Sequence, residues 1–208
     1  MQAVATRASA GLGPSGRRRA LVSPAMWLTA RKTAPSVRDG RVQRKNRWAC
    51  TPQRDAPLVI RERPPRGFRH ILTVADVESF LELVPAELTG GVEHVMLSAD
   101  PSALGWYRRG VVAVCAWPRE LWAWWSKDFV DEHRASLERY GVPMKLHYGR
   151  VFCDFSERQI RAFQLLRVLM HELGHHVDVE RGEPYANRFE VEWDQRLWSQ
   201  YVARFGEP

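Results

Sequence analysis

The sequence has no apolar run approaching the roughly 18 residues needed to span a bilayer. GVVAVCAW, residues 110 to 117, is among the longest and is too short. The expectation is a chain with no membrane segment. Cysteine is scarce as well: Cys50, Cys115 and Cys153 lie far apart, no CxxC occurs, and three is an odd number for a disulfide framework. Reduced, mostly buried thiols in a cytoplasmic protein are the simpler reading. ALVSPAMWLTA follows Arg17, Arg18 and Arg19 in imitation of a signal peptide. It is interrupted by Ser, Pro and Thr and begins about twenty residues in, which argues against secretion.

The first third nearly lacks acidic residues. Residues 1 to 69 hold 16 Lys+Arg against 3 Asp+Glu, whereas residues 70 to 208 hold 15 against 21. The overall charge of +7 is therefore a property of the N-terminal segment, and the remainder is mildly acidic. Residues 1 to 67 also lack sustained hydrophobic periodicity and are rich in Arg, Pro, Ser, Gly and Ala. Such a composition buries too little surface to offset its ordering entropy. It reads as a disordered basic tail, either an arm for nucleic acid or acidic partners or a solvated extension, with Met26 as an alternative start.

What is present is one domain, residues 68 to 208, of mixed α and β character. TVADVESFLELVPAEL sets Val74, Val77, Phe80, Leu81 and Val84 at helical spacing behind Thr73, a candidate N-cap. GGVEHVMLSAD reads as a short strand and WYRRGVVAVCAWP as a second extended segment. RELWAWWSKDFVDEHRASLERYG suggests a helical stretch or two, closed by Gly141, and KLHYGRVFCDF a third strand or a connector. Ser156 with Gln159 forms a capping-box pattern that opens a long apolar helix running through at least Val177. A second helix is expected from about Pro184 to Ala203.

The long helix contains HELGH. Four residues advance an α-helix by just over one turn, so His171 and His175 project from one face and can reach one ion. Neutral imidazoles suit Zn²⁺, whose catalytic sites take three protein ligands and leave a position for water. The ion would acidify that water and polarise a carbonyl. Glu172 is about 100° round the helix, placed to move a proton from the water to a leaving amine without ligating the metal. Gly174 invites close approach of a backbone or of substrate. His176 and Asp178 read as capping or supporting groups at the helix end.

Together, HELGHH and the following GEPYANRFE resemble the minimal gluzincin metallopeptidases, particularly the small bacterial and phage group related to the ImmA/IrrE proteases. The match covers roughly residues 157 to 195. The resemblance implies a small α+β, zincin-like domain: an HExxH active-site helix, a second C-terminal helix and a short β-sheet. It implies Zn²⁺ as cofactor, a peptide or protein as substrate, Glu183 as third ligand and Asn187 as the group that steadies His171. It also implies an edge strand beside the zinc helix, a role open to WYRRGVVAV by β-augmentation.

Seven residues separate His175 from Glu183, which is short for this family. If the first helix ends near Asp178 and VERG makes the turn, Glu183 is within reach. If it continues to Arg181, Glu183 stands roughly 10 Å too high and Glu190 comes level with His175. Tyr185, Arg188 and His147 are candidates for stabilising an oxyanion. Trp117, Trp122, Trp124 and Trp125 could line a substrate groove or pack in the core. The rival reading is a non-catalytic zinc-binding or regulatory protein whose basic tail contacts nucleic acid or acidic partners.

Overall fold

A computed structural model describes residues 56 to 208. The four-stranded main sheet has the order β1 (Leu58–Arg61), β3 (His94–Ser98), β5 (Val111–Cys115), β4 (Gly105–Arg108). The first three strands run parallel, and β4 closes one edge antiparallel to β5. A two-residue pair joins β2 (Phe68–Arg69) to β6 (Trp117–Pro118). A second, antiparallel sheet has the order β7 (Trp122–Ser126), β9 (Arg150–Asp154), β8 (Met144–His147). The chain is thus α+β. No helix among the described residues is long and apolar enough to cross a membrane.

The helices begin where the caps allow. Thr73 accepts from the Asp76 amide, and Asp76 accepts from the Thr73 amide in return, opening α1 (Val74–Leu81). The single turn α2 (Ala86–Thr89) follows Pro85, and α3 (Lys127–Arg139) opens under the Ser126 hydroxyl. Ser156 and Gln159 build the same reciprocal cap for α4 (Glu157–Ala162). The helix then widens into a π-helical segment (Phe163–Leu169) and returns to α-geometry in α5 (Met170–Val177). After a short turn, α6 (Gly182–Phe205) runs back against it. The core lies between the main sheet and these helices: Val112 and Val114 share one cluster with Leu165, Leu166, Leu169 and Leu173, where Trp117 meets Trp125 and Phe163 edge-on and Trp125 is tilted against Phe163.

Several sequence expectations need correction. The domain starts before residue 68: β1 lies in the stretch assigned to the tail and pairs with β3 residue by residue. Its Leu-Val-Ile run is short and framed by arginines and prolines, so the surrounding composition masked it. Residues 1 to 55, with Cys50 and Met26, lie outside the described residues. WYRRGVVAV is a hairpin rather than one strand, because Arg109 and Gly110 both take positive φ, 45° and 76°. That is the turn whose twist matches paired strands. Tyr148 and Gly149 (φ 46° and 75°) make the same turn between β8 and β9. WAWWS is strand β7 rather than helix, its residues alternating between a buried face (Ala123, Trp125) and a half-exposed one (Trp122, Trp124). The second long helix runs from Gly182 to Phe205, two residues further at each end than expected.

Cys115 and Cys153 are free and buried. Burial pushes the Cys115 thiol well above its ordinary range and that of Cys153 up to about 12. Neither is a thiolate nucleophile at neutral pH.

Candidate metal centre

The turn between α5 and α6 decides the site. α5 ends at Val177, where Asp178 leaves helical geometry (φ −148°, ψ 88°). The Asp178 carboxylate accepts from the Arg181 amide at 3.3 Å and pairs with its guanidinium at 2.9 Å. Gly182 (φ 62°) then starts α6. Asp178 is therefore a helix-end group, and Glu183 stands in the first turn of α6.

Gly174 sets how closely the two helices lie. A Cβ there would fall 3.1 Å from the Ala186 Cα and 3.2 Å from Phe189. The small residue is used for helix contact, at a propensity cost of roughly 1 kcal/mol relative to Ala. The facing stripes are Arg167, His171 and His175 on one helix and Glu183, Ala186, Glu190 and Asp194 on the other.

Glu183 reaches both histidines. Its Oε2 is 3.1 Å from His171 Nε2 and its Oε1 is 3.4 Å from His175 Nε2. The donor atoms of His171, His175 and Glu183 all lie within 4.8 Å of one another, so the three could hold a metal ion. Ligands at the usual zinc distances in a tetrahedron stand roughly 3.4 Å apart, so the two contacts to Glu183 fit and the whole set needs a modest contraction. The histidine rings are 4.8 Å apart and nearly perpendicular. His175 is buried, His171 partly open, and Glu183 65% exposed at the mouth.

Glu190 does not join this triad. It is buried, and its Oε2 lies 3.1 Å from His171 Nδ1. Both nitrogens of His171 therefore face carboxylate oxygens. A neutral imidazole carries one N–H and would turn a lone pair on the other carboxylate. The arrangement calls for a second positive centre, a proton or a cation. Without a metal the proton fills that need. Burial opposes it, but the hydrogen bonds to Glu183 and Glu190 prevail and raise His171 to about 10. Hydrogen bonds to His171 and His175 in turn hold the Glu183 carboxyl far below its usual range.

Asn187 is not where the resemblance implies. Its Nδ2 donates to Glu132 Oε1 of α3 at 2.6 Å on the surface, and Glu190 takes the position on His171. The reason is helical phase. Relative to Glu183, position 187 has rotated about 40° and position 190 about 20° in the opposite sense. With Glu183 at the first turn of α6, the helices converge so that Glu190 reaches the His171 ring. His176 points elsewhere: its Nε2 meets the Gly90 carbonyl at 2.8 Å and its Nδ1 the Tyr107 hydroxyl at 3.3 Å, tying the helix end to β4.

Glu172 is buried on the side of α5 that faces the edge strand β4. A Cβ on Gly105 would fall 2.7 Å from the Ala113 carbonyl oxygen and from Val168 Cγ1 and 3.0 Å from Glu172 Cγ, so only glycine lets the strand pass this close to the helix. Of the oxyanion candidates, His147 is exposed against Trp124 in the second sheet, and Tyr185 lies under the Arg181 guanidinium. The tryptophans separate: Trp117 and Trp125 are core, while Trp122 and Trp124 lie on the outer face of the second sheet.

Sequence reasoning passed over Arg167, Asp194 and Gly105. A signal for the first two existed. Arg167, His171 and His175 recur at four-residue spacing, and Glu183, Glu190 and Asp194 at seven and four. Two such stripes on consecutive helices point to facing charges. Comparisons with protein-family models, curated proteins and solved structures find no match to this chain.

Proposed function

We propose that this chain is a zinc-dependent metallopeptidase of the gluzincin type, built on a zincin-like domain whose active-site helix carries HELGH. The observation that carries the reading is His171, with each ring nitrogen against a carboxylate in a pocket that calls for a cation. His171 and His175, through Nε2, and Glu183 would hold Zn²⁺. When bound, the ion supplies a Lewis acid and an acidified water.

The remaining work falls to the chain's own groups. Glu190 fixes the His171 tautomer by accepting from Nδ1, leaving Nε2 free to ligate. Glu172 takes a proton from the attacking water and delivers it to the departing amine. β4 offers its open edge to an extended peptide by main-chain hydrogen bonds, and the bare Gly105 lets that strand lie close to Glu172. The cytoplasm, with reduced thiols, is the proposed compartment.

The test is Glu172→Gln, assayed on a mixture of unstructured peptides with mass-spectrometric detection. Hydrolysis should fall by roughly 10²- to 10⁴-fold while zinc content stays at the wild-type level. Phenanthroline should silence the wild type. Undiminished cleavage by the variant would refute the role given to Glu172.

A further inference from the structure

Arg167 sits one helical turn before His171, within the π-helical segment, and is 2% exposed. Its Nη2 donates to Glu190 Oε1, and its Nη1 donates to the Ser136 hydroxyl at 3.1 Å and lies 3.9 Å from Asp194 Oδ2. Ser136 donates to Asp194 Oδ2 at 2.5 Å and Tyr140 to Asp194 Oδ1 at 2.7 Å. A continuous chain of contacts thus leads from α3 through Arg167 and Glu190 to His171 Nδ1.

Stability alone does not account for this cluster. Taking a guanidinium and two carboxylates out of water is costly, and well-packed apolar side chains of the same volume commonly serve a fold as well. An apolar core, however, cannot aim a carboxylate. The ring torsion of a histidine and the terminal torsion of a glutamate are both broad. Glu190 is held at both oxygens, Oε1 by one arm of the Arg167 guanidinium and Oε2 by His171 Nδ1. The guanidinium is planar and rigid and its other arm is anchored on Ser136, so the nitrogen that meets Glu190 Oε1 is held in place. The π-helical segment places Arg167 under Glu190; insertions of this kind are rare and concentrate at functional sites.

We propose that Arg167 is a positioning residue for the candidate metal centre: by fixing Glu190, it fixes the ring of His171 and so the direction of the Nε2 lone pair. This rests on His171, His175 and Glu183 being metal ligands. Arg167 touches neither metal nor substrate and acts only through Glu190.

The experiment compares wild type with Arg167→Lys, Glu190→Gln, Ser136→Ala and Tyr140→Phe. Two quantities are read: zinc dissociation constants by chelator competition, and the visible absorption of the cobalt(II)-loaded protein, which reports coordination geometry. Lysine keeps the charge but cannot grip Glu190 and Ser136 in one plane. Glu190→Gln should weaken zinc about 10- to 100-fold. Arg167→Lys should weaken it at least tenfold, with a matching change in the cobalt spectrum. Tyr140→Phe should lower the melting temperature and leave both readings at wild type, because its hydroxyl serves Asp194 alone. If Arg167→Lys does not fold, Ser136→Ala carries the test. It removes one anchor of the guanidinium and no charge, and should weaken zinc about fivefold, the loss expected of one hydrogen bond. Wild-type affinity and spectrum in the folded Arg167→Lys protein, or in Ser136→Ala, would overturn the inference alone. A wild type that binds neither ion would overturn the reading of the site itself.

Discussion

The two ends of the α5–α6 helix pair apply the same rule to opposite effect. At the buried end, Glu190 and Asp194 face Arg167, and the chain supplies its own cation. At the open end, Glu183 faces His171 and His175, and among the described residues no guanidinium or ammonium pairs with it. Carboxylates line one helix at both ends, and only the partner residues differ. A resident arginine makes the inner end a closed structural pair. Two imidazoles and a carboxylate make the outer end a group that could hold a metal ion. Glu190 belongs to both, with one oxygen on Arg167 and the other on His171.

The largest effect should come from opening the closed end. Arg167→Met removes the buried cation between Glu190 and Asp194, leaving them only His171 and the half-buried Arg139, and should destabilise the metal-free protein by about 3–5 kcal/mol in urea unfolding. Glu183→Ala, at the exposed end, should cost the same metal-free protein under about 1 kcal/mol while removing metal affinity. Equal losses for the two variants would erase the distinction.

A histidine at each end gives the comparison a pH signature. His133, stacked on Phe129 and 3.5 Å from Glu190, is lowered by burial to about 4. A base with a depressed folded pKa contributes stability that is full above its unfolded value of about 6.5 and lost as pH falls towards 4. His171 is raised to about 10. Its contribution is full below about 6.5 and is lost as pH rises through 10. In chelator, urea midpoints should therefore decline on both sides of neutrality. His133→Gln should flatten the acid limb and His171→Gln the alkaline one. A limb left unchanged by its variant would contradict the assignment.

The smallest effect concerns Asn187. Its side chain meets Glu132 on the surface, so Asn187→Ala should change stability by no more than about 0.5 kcal/mol and leave zinc affinity unaltered. A tenfold loss of zinc would return Asn187 to the role that the family pattern implied.

Much of this was legible because local chemistry decides it. The caps at Thr73 and Ser156, the buried stripe of the long helix, and the same-face placement of His171 and His175 follow from spacing within one segment. What depended on two segments meeting was less legible. The choice between Glu183 and Glu190 turned on where α5 stops, and Asp178 stops it with a side-chain turn that periodicity does not register. Glu190 then took the contact expected of Asn187 because the angular phase of α6 depends on where that helix begins. The two hairpins were missed for a related reason: Arg109 and Tyr148 occupy positive-φ positions where Asn or Asp is the usual signal. β1 was hidden by its basic surroundings, since its partner β3 is more than thirty residues away.

The most direct test of the open end as a metal socket is zinc stoichiometry, measured by elemental analysis on purified protein after loading and dialysis. Wild type should carry one zinc per chain, and His171→Ala and His175→Ala should carry well under a tenth of that. A wild type without zinc, or a His171→Ala protein that keeps it, would contradict the socket.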